Sequence, residues 1–294
     1  MMEDNDRSTL LENPPTLMQF VHEQLGDLSP DELSGMDSDK LKRGSVVLFI
    51  ISPREGPEGQ LEPCLILNKR SARVRQAGDL CCPGGGLSLP LDRRLAHLVK
   101  IPGAPLHRWT PWPHWQKNHT ESSRTLALLL AAGLREAWEE MRFNPFRFTF
   151  LGMLPTQRLV MFDREIYPMV GWAPYQSLKP NWEVERIIAI PLRKLLDPSQ
   201  YGRFRPMVTS GDNGDVHQLH HNDFPGFIHE DNEGREMLWG ATYRITQEFL
   251  SRVFDFSPPD EEALPLVHRH LDESYLNGSR WRPGQRQRHS RSDW

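Results

Sequence analysis

Residues Leu126 to Leu134 are apolar on almost every side, and the same segment then turns acidic over Leu134-Arg135-Glu136-Ala137-Trp138-Glu139-Glu140-Met141. Read as one helix, its first end has to lie between layers, because Leu126, Leu128, Leu129, Leu130, Ala131 and Ala132 leave no polar face. Asn144-Pro145 ends it, since the residue before a proline is pushed out of the helical region. Glu136 and Glu140 are four residues apart and Glu136 and Glu139 three, so all three carboxylates leave one side of the helix. Each like-charged pair at this spacing costs a helix about 0.2–0.5 kcal/mol. An acidic side without a partner loses stability. One that holds Mg²⁺ or Mn²⁺ does not, because these cations prefer hard oxygen donors. Taken alone, the segment also reads as a solvated helix face.

Short apolar runs separated by turn residues surround this helix. Strands are expected at Gly44 to Ser52, Cys64 to Lys69 and Asp79 to Cys82, the last running into Pro83-Gly84-Gly85-Gly86. Further strands are expected at Thr149 to Leu154, Glu165 to Trp172 and Ile187 to Ile190. A short helix at Leu192 to Leu196, a hairpin of Phe227-Ile228 with Glu236-Met237-Leu238, and a helix from Tyr243 to Phe254 follow. Strands alternating with helices around one long central helix imply a layered α/β domain, placed at 44–256. Residues 1–43 read as a short amphipathic helix (Leu17 to Leu25) and a linker, and 257–294 as a tail, disordered over its arginine-rich end from Arg280 to Trp294. Residues 87–123 are rich in Pro, Trp and His without a sustained period, the mark of a long irregular insertion. Trp109, Trp112 and Trp115 make it a candidate cap that stacks on a base, with a surface elaboration or an oligomer contact as the alternative.

A net charge of −4 does not favour a nucleic-acid partner. The longest apolar run, Leu126 to Leu134, is half of what a membrane span needs. The acidic stretch Met1-Met2-Glu3-Asp4 has no apolar signal segment, and three cysteines cannot build a disulfide framework. A reducing cytoplasm is therefore the expected location. A homodimer is left open. His217, His220, His221 and His229 lack the cysteine partners and spacing of a zinc site.

Together the glycine turn and the acidic helix end resemble the Nudix box, in which Arg-Glu, two further positions and Glu-Glu follow a Gly-Gly turn. The resemblance implies an α/β/α sandwich around a mixed β-sheet, here with a long insertion after the Gly-rich turn. It also implies a diphosphate hydrolase that uses Mg²⁺ or Mn²⁺. Glu136 and Glu140 would be the main ligands, with Glu139 and the Gly84 carbonyl assisting. Arg135 would orient a carboxylate of the box. Glu183, just ahead of a strand, would bind a further metal or take the proton from water, with Glu185 as its nearest competitor. Two positions depart from the box: Ala127 stands eight before Arg135, where Glu is common, and Arg142 replaces the glycine two after the Glu pair.

A narrower resemblance, to the coenzyme A diphosphatase branch, covers residues 44–254. It rests on Arg70-Ser71, Arg75 and Pro83-Gly84-Gly85, and on Gly152 to Pro155, Pro168-Met169-Val170, Glu183-Val184 and Trp239-Gly240-Ala241-Thr242 in order. Cys82 stands where that branch usually has Phe. The resemblance implies that coenzyme A or an acyl derivative is cleaved to 3′,5′-ADP and a phosphopantetheine, with Arg70, Ser71 and Arg75 binding substrate. Guanidinium groups suit the task, because they grip phosphate in bidentate fashion. Another nucleoside diphosphate derivative, such as ADP-ribose or a dinucleotide, is the alternative substrate. A non-catalytic ligand-binding regulator of the same fold is the alternative class.

Overall fold

The computed structural model describes residues 4–26, 30–36, 38–56, 59–159, 164–210, 215–218, 223–271 and 275. Helices α1 (Asp4–Glu12), α2 (Pro14–Gln24) and α3 (Ser38–Arg43) lead into strands β1 (Gly44–Glu55), β2 (Leu61–Arg70), β3 (Leu80–Cys81) and β4 (Gly84–Gly86). Next come α4 (Leu89–Leu98), α5 (Trp112–Asn118), the long α6 (Thr120–Met141), β5 (Thr149–Met153), β6 (Gln157–Leu159), β7 (Arg164–Trp172), β8 (Val184–Pro191) and α7 (Leu192–Leu195). Then β9 (Tyr201–Ser210), β10 (Asp215–Gln218), β11 (Phe224–Asp231), β12 (Gly234–Trp239), α8 (Gly240–Phe254) and β13 (Leu266–Leu271) complete the described chain.

The main sheet runs β3-β2-β1-β7-β5, with β4 on β1, β6 on β7 and β8 on β2. It is mixed, since β1 pairs parallel with β7 and antiparallel with β2. The uninterrupted apolar run of β1 has a simple cause: both faces of this strand are covered. Val46, Leu48 and Ile50 pack into a core with α6, while Phe49 and Ile51 pack into a second core with residues of α2 and α8. Helices thus lie on both faces of the sheet, the α/β/α layering expected from the sequence. Gly133 lets α6 come close: a Cβ there would stand 2.8 Å from Leu48 Cδ2 and 3.1 Å from Val46 Cγ1.

Three expectations change. The insertion is ordered into α4, α5 and the first turn of α6. Its tryptophans are no cap: Trp109, Trp112 and Trp115 are 3–5% exposed in the α6 core, and Trp109 meets Phe150 edge-on with centroids 5.2 Å apart. Apolar area of that size is more stable under the helix than over a ligand in water. The N-terminal segment is not a mere linker, since Leu10, Leu11, Leu17, Val21 and Leu25 belong to the second core. Part of the expected tail also belongs to the fold: β13 runs parallel to β9 in a separate five-stranded sheet, β10-β9-β11-β12, which also holds the expected late hairpin, β11–β12. Glu236 of β12, 8% exposed, ties it to the main sheet by accepting Lys69 Nζ and Arg186 Nη2, each at 2.9 Å. The arginine-rich end, His220 and His221 lie outside the described residues.

Candidate active site

The last turns of α6 carry the carboxylates to the glycine turn. β4 is held on β1 in the register Ser45–Gly86, Val46–Gly85, Val47–Gly84, so its backbone runs along the side of α6. A Cβ on Gly85 would stand 2.6 Å from Glu136 Cδ, closer than any side chain tolerates. The glycine is needed for this close approach of backbone to carboxylate. The Gly84 amide donates to Glu140 Oε2 at 3.1 Å, and Asn68 Nδ2 of β2 donates to the same oxygen at 2.9 Å. Glu140 is 9% exposed. Burial pushes its carboxyl up to about 8, with Glu136 and Glu183 adding to the rise and the Gly84 amide and Arg70 opposing it. Burial also raises Glu136, against the pull of Arg135.

Arg135 is clasped from three sides. Its Nη1 donates to Glu136 Oε1 at 2.9 Å and to Glu139 Oε2 at 3.1 Å, and its Nη2 to the Gly86 carbonyl at 3.0 Å. A fourth partner was missed in the sequence. Asp92 of α4, fully buried, accepts Nε at 2.7 Å and Nη2 at 3.3 Å, and holds the Ser88 amide at 2.6 Å. Burial works against the Arg135 charge, but Asp92, Glu136 and Glu139 outweigh it and hold the guanidinium above its usual range. Ala127, where Glu is common in the box, brings no carboxylate, and the buried acid on Arg135 is Asp92 of α4, ahead of the bulk of the insertion. One signal could have found it: Leu89, Asp92 and Ala96 fall on the buried side of α4 at helical spacing, and an acid on that side needs a buried partner. Arg142 also finds its reason. It takes the left-handed conformation at the helix end, with φ 56°, and stacks its guanidinium 4.7 Å over the Trp138 ring.

Two loops bring the remaining candidates. Asn181 N donates to the Glu140 carbonyl at 2.7 Å and Lys179 N to the Met141 carbonyl at 2.8 Å, so the segment ahead of β8 is laced to the end of α6. This sets Glu183 within electrostatic reach of Glu140, while Glu185 is paired with Lys69 Nζ at 3.0 Å. Ser71 closes the other side: its amide donates to the Glu183 carbonyl at 2.8 Å and its hydroxyl to the Trp182 carbonyl at 2.9 Å. Arg70, at the end of β2, lies within electrostatic reach of Glu140 and donates Nε to the Arg75 carbonyl at 2.8 Å. The Arg75 side chain is exposed, and it is this carbonyl that ties the residue to Arg70. Beside Arg135 and Glu139 opens an apolar groove of about 660 Å³ between α4 and α6, lined by Leu91, Leu95, Leu98, Leu134, Trp138 and Phe146 among others.

No family model and no curated protein matches the sequence. Solved structures with a likeness include a MutT/nudix family protein from Enterococcus faecalis, at 13% identity over 87% of this chain and 76% of that one, with TM-score 0.36. The Nudix hydrolase RenU from M. smegmatis is 13% identical over 52% of this chain and 73% of its own, with TM-score 0.31. The NUDIX domain of NrtR from Shewanella oneidensis, solved with ADP ribose, is 13% identical over 56% and 84%, with TM-score 0.32. At TM-scores this low, the reading of the site rests on its own residues.

Those residues fit a hard divalent cation. Glu136, Glu139, Glu140 and Glu183 offer only oxygen, and Arg70 and Arg135 do not balance their charge. Asn68 Oδ1 is buried beside Glu140 without a hydrogen-bond partner, an acceptor that water on a cation would satisfy. Among the described residues no three acidic, imidazole or thiol groups already converge as a metal cluster. Arg135 holds Glu136 and Glu139, and Asn68 and Gly84 hold Glu140, so a cation would have to draw these oxygens from their present partners. The three thiols are set apart from this chemistry, since burial raises Cys64 and Cys81 to about 12 and Cys82 further.

Proposed function

We propose that this chain is a Nudix-type hydrolase that cleaves a diphosphate linkage with Mg²⁺ or Mn²⁺. The observation that carries the reading is the fit of the Gly84-Gly85 backbone against Glu140 and Glu136, with Arg70 and Glu183 within electrostatic reach of Glu140. Glu136, Glu139 and Glu140 would hold the cation, with the carbonyl of Gly84 assisting. The bound ion would neutralise the diphosphate and lower the pKa of water at neutral pH. Arg135 fixes the angle of Glu136 and Glu139 from its seat on Asp92. Arg70, within electrostatic reach of Glu140 at the start of the neighbouring loop, supplies a guanidinium for phosphate oxygens. Glu183 or Glu136 takes the proton from the attacking water.

The preferred substrate is coenzyme A or an acyl derivative, cleaved to 3′,5′-ADP and a phosphopantetheine. Two features support it. Arg70 and Arg75 put two guanidinium-bearing residues on the loop beside Glu140, enough for a second phosphate besides the diphosphate. The groove at Arg135 and Glu139 offers apolar walls to a pantetheine or acyl arm. The test offers coenzyme A, acetyl coenzyme A, dephospho-coenzyme A, ADP-ribose and NADH side by side with Mg²⁺ or Mn²⁺, and reads products by chromatography. Release of 3′,5′-ADP, with dephospho-coenzyme A much poorer, is the expected result. Cleavage of ADP-ribose or NADH alone discards coenzyme A and keeps the chemistry. No cleavage of any of them overturns the enzyme and leaves a ligand-binding module.

A further inference from the structure

The loop from Arg70 to Asp79 is held from outside by residues far along the chain. Asp79 closes it: its carbonyl accepts the Arg70 amide at 3.0 Å, and the Gly78 amide donates to the Arg70 carbonyl at 2.8 Å. The Asp79 carboxylate, however, points away to two aromatic donors. Tyr275 donates its hydroxyl to Oδ2 at 2.6 Å, and Trp239 its indole N–H to Oδ1 at 3.1 Å. Tyr275 is 4% exposed and grips the loop a second time, since its carbonyl accepts the Gln76 amide at 2.7 Å. Gln76 is left-handed, at φ 57°, a conformation that a side chain other than glycine adopts at a cost and that needs an outside hold. Trp239 is itself fixed, with its ring 4.6 Å from Phe204 and 5.5 Å from Phe224 in the second sheet.

The same loop presents the Arg75 carbonyl to Arg70 Nε at 2.8 Å. A guanidinium with one edge so pinned keeps its other N–H groups aimed, which is what recognition of a phosphate requires. We propose that Tyr275 and Trp239 are positioning residues: by gripping Asp79 and Gln76 they set the loop whose Arg75 carbonyl orients Arg70. The second sheet, whose described residues bring no group to Glu136, Glu139 or Glu140, thereby gains a part in the reaction as a buttress. This rests on the reading of Arg70 as a group that binds the diphosphate substrate.

The test is a double-mutant cycle on the full chain with whichever diphosphate the parent cleaves. Tyr275→Phe keeps the ring and removes the hydroxyl. It is expected to raise KM about tenfold, the effect of one hydrogen bond to a charged group, with kcat nearly unchanged. In an Arg70→Ala background the same substitution is expected to add almost nothing, because the group it positions is gone. An unchanged KM, or a tenfold factor that repeats in the Arg70→Ala background, overturns the proposal. A second readout needs no activity: trypsin is expected to cut after Arg73 and Arg75 faster in Tyr275→Phe than in the parent, at equal melting temperature. Equal cutting means that the grip does not hold the loop, and the proposal fails. A parent that cleaves no diphosphate overturns the reading of the site and the role of Arg70 with it, while the trypsin result still decides the grip.

Discussion

The glycine turn at 83–86 and the arginine loop at 70–79 reach Glu140 from the two ends of the same short strand, Leu80–Cys81. They are held by opposite means. The turn is part of the sheet: its glycines pair residue by residue with β1, and the Pro83 carbonyl accepts the Leu48 amide at 2.8 Å. The loop has its own internal turns, but its outer side is fastened by Tyr275 and Trp239, 196 and 160 positions away from Asp79. The carboxylate side of the site is thus set by paired backbone, and the arginine side by a few polar bonds from remote segments. Backbone pairing is spread over many bonds, while a grip of three bonds can be released by a single substitution.

The largest expected effect breaks the turn from below. Asp92→Ala leaves Arg135 buried without its bidentate partner and frees Ser88 just beyond the turn, at a cost of roughly 3–5 kcal/mol. Urea unfolding measures it, and a loss below about 1 kcal/mol would show that Glu136, Glu139 and Gly86 suffice to hold Arg135.

Next is Glu140→Gln, expected to lower turnover by about 10²–10³-fold, or ~3–4 kcal/mol in barrier. Its amide oxygen can still accept from Gly84 and Asn68, so the fold is kept. Near-normal turnover in this variant sinks the metal site. The same variant sharpens the electrostatic side. The Glu140 carboxyl is held at about 8 in the fold against 4.5 ordinarily, so its contribution to stability is complete below pH 4.5 and is lost as pH rises through 8. Without added metal, the melting temperature of the parent is expected to fall across that window and that of Glu140→Gln to fall much less. Parallel curves would place the origin of the pH dependence elsewhere.

The smallest effect tests the turn from above. Gly85→Ala sets a Cβ 2.6 Å from the Glu136 carboxyl carbon, and because that side chain can swing, the cost in stability is about 1–3 kcal/mol. Swinging removes Glu136 from the site, so turnover should fall further than stability does. Turnover unaffected by the change would mean that the closeness of turn and carboxylate serves packing alone.

Much of the carboxylate side was legible in the chain. The apolar run of α6, the spacing of Glu136, Glu139 and Glu140, and the strands β1, β2, β3, β5, β7 and β8 follow from period and turn chemistry, which act over a few residues. The same local rules failed in the insertion. Pro, Trp and His read as irregular there, yet α4 and α5 form because their apolar sides meet α6. They failed too in the second sheet, where β9, β10 and β13 had no signal strong enough to separate them from loop. Strand propensity depends on the neighbours a strand finds.

The sequence by itself determined which face of one helix is acidic and that strands and helices alternate around it, because both depend on side-chain chemistry repeated at helix or strand spacing. Which turn lies against that face and how the layers stack came from the resemblance. Only the tertiary structure decided that Asp92 anchors Arg135, that three tryptophans fill a core, that Glu183 comes within electrostatic reach of Glu140 while Glu185 pairs with Lys69, and that Tyr275 holds the arginine loop. Each of these joins residues tens to hundreds of positions apart, and no period in the chain records which of many equal donors and acceptors will meet once the sheet has closed.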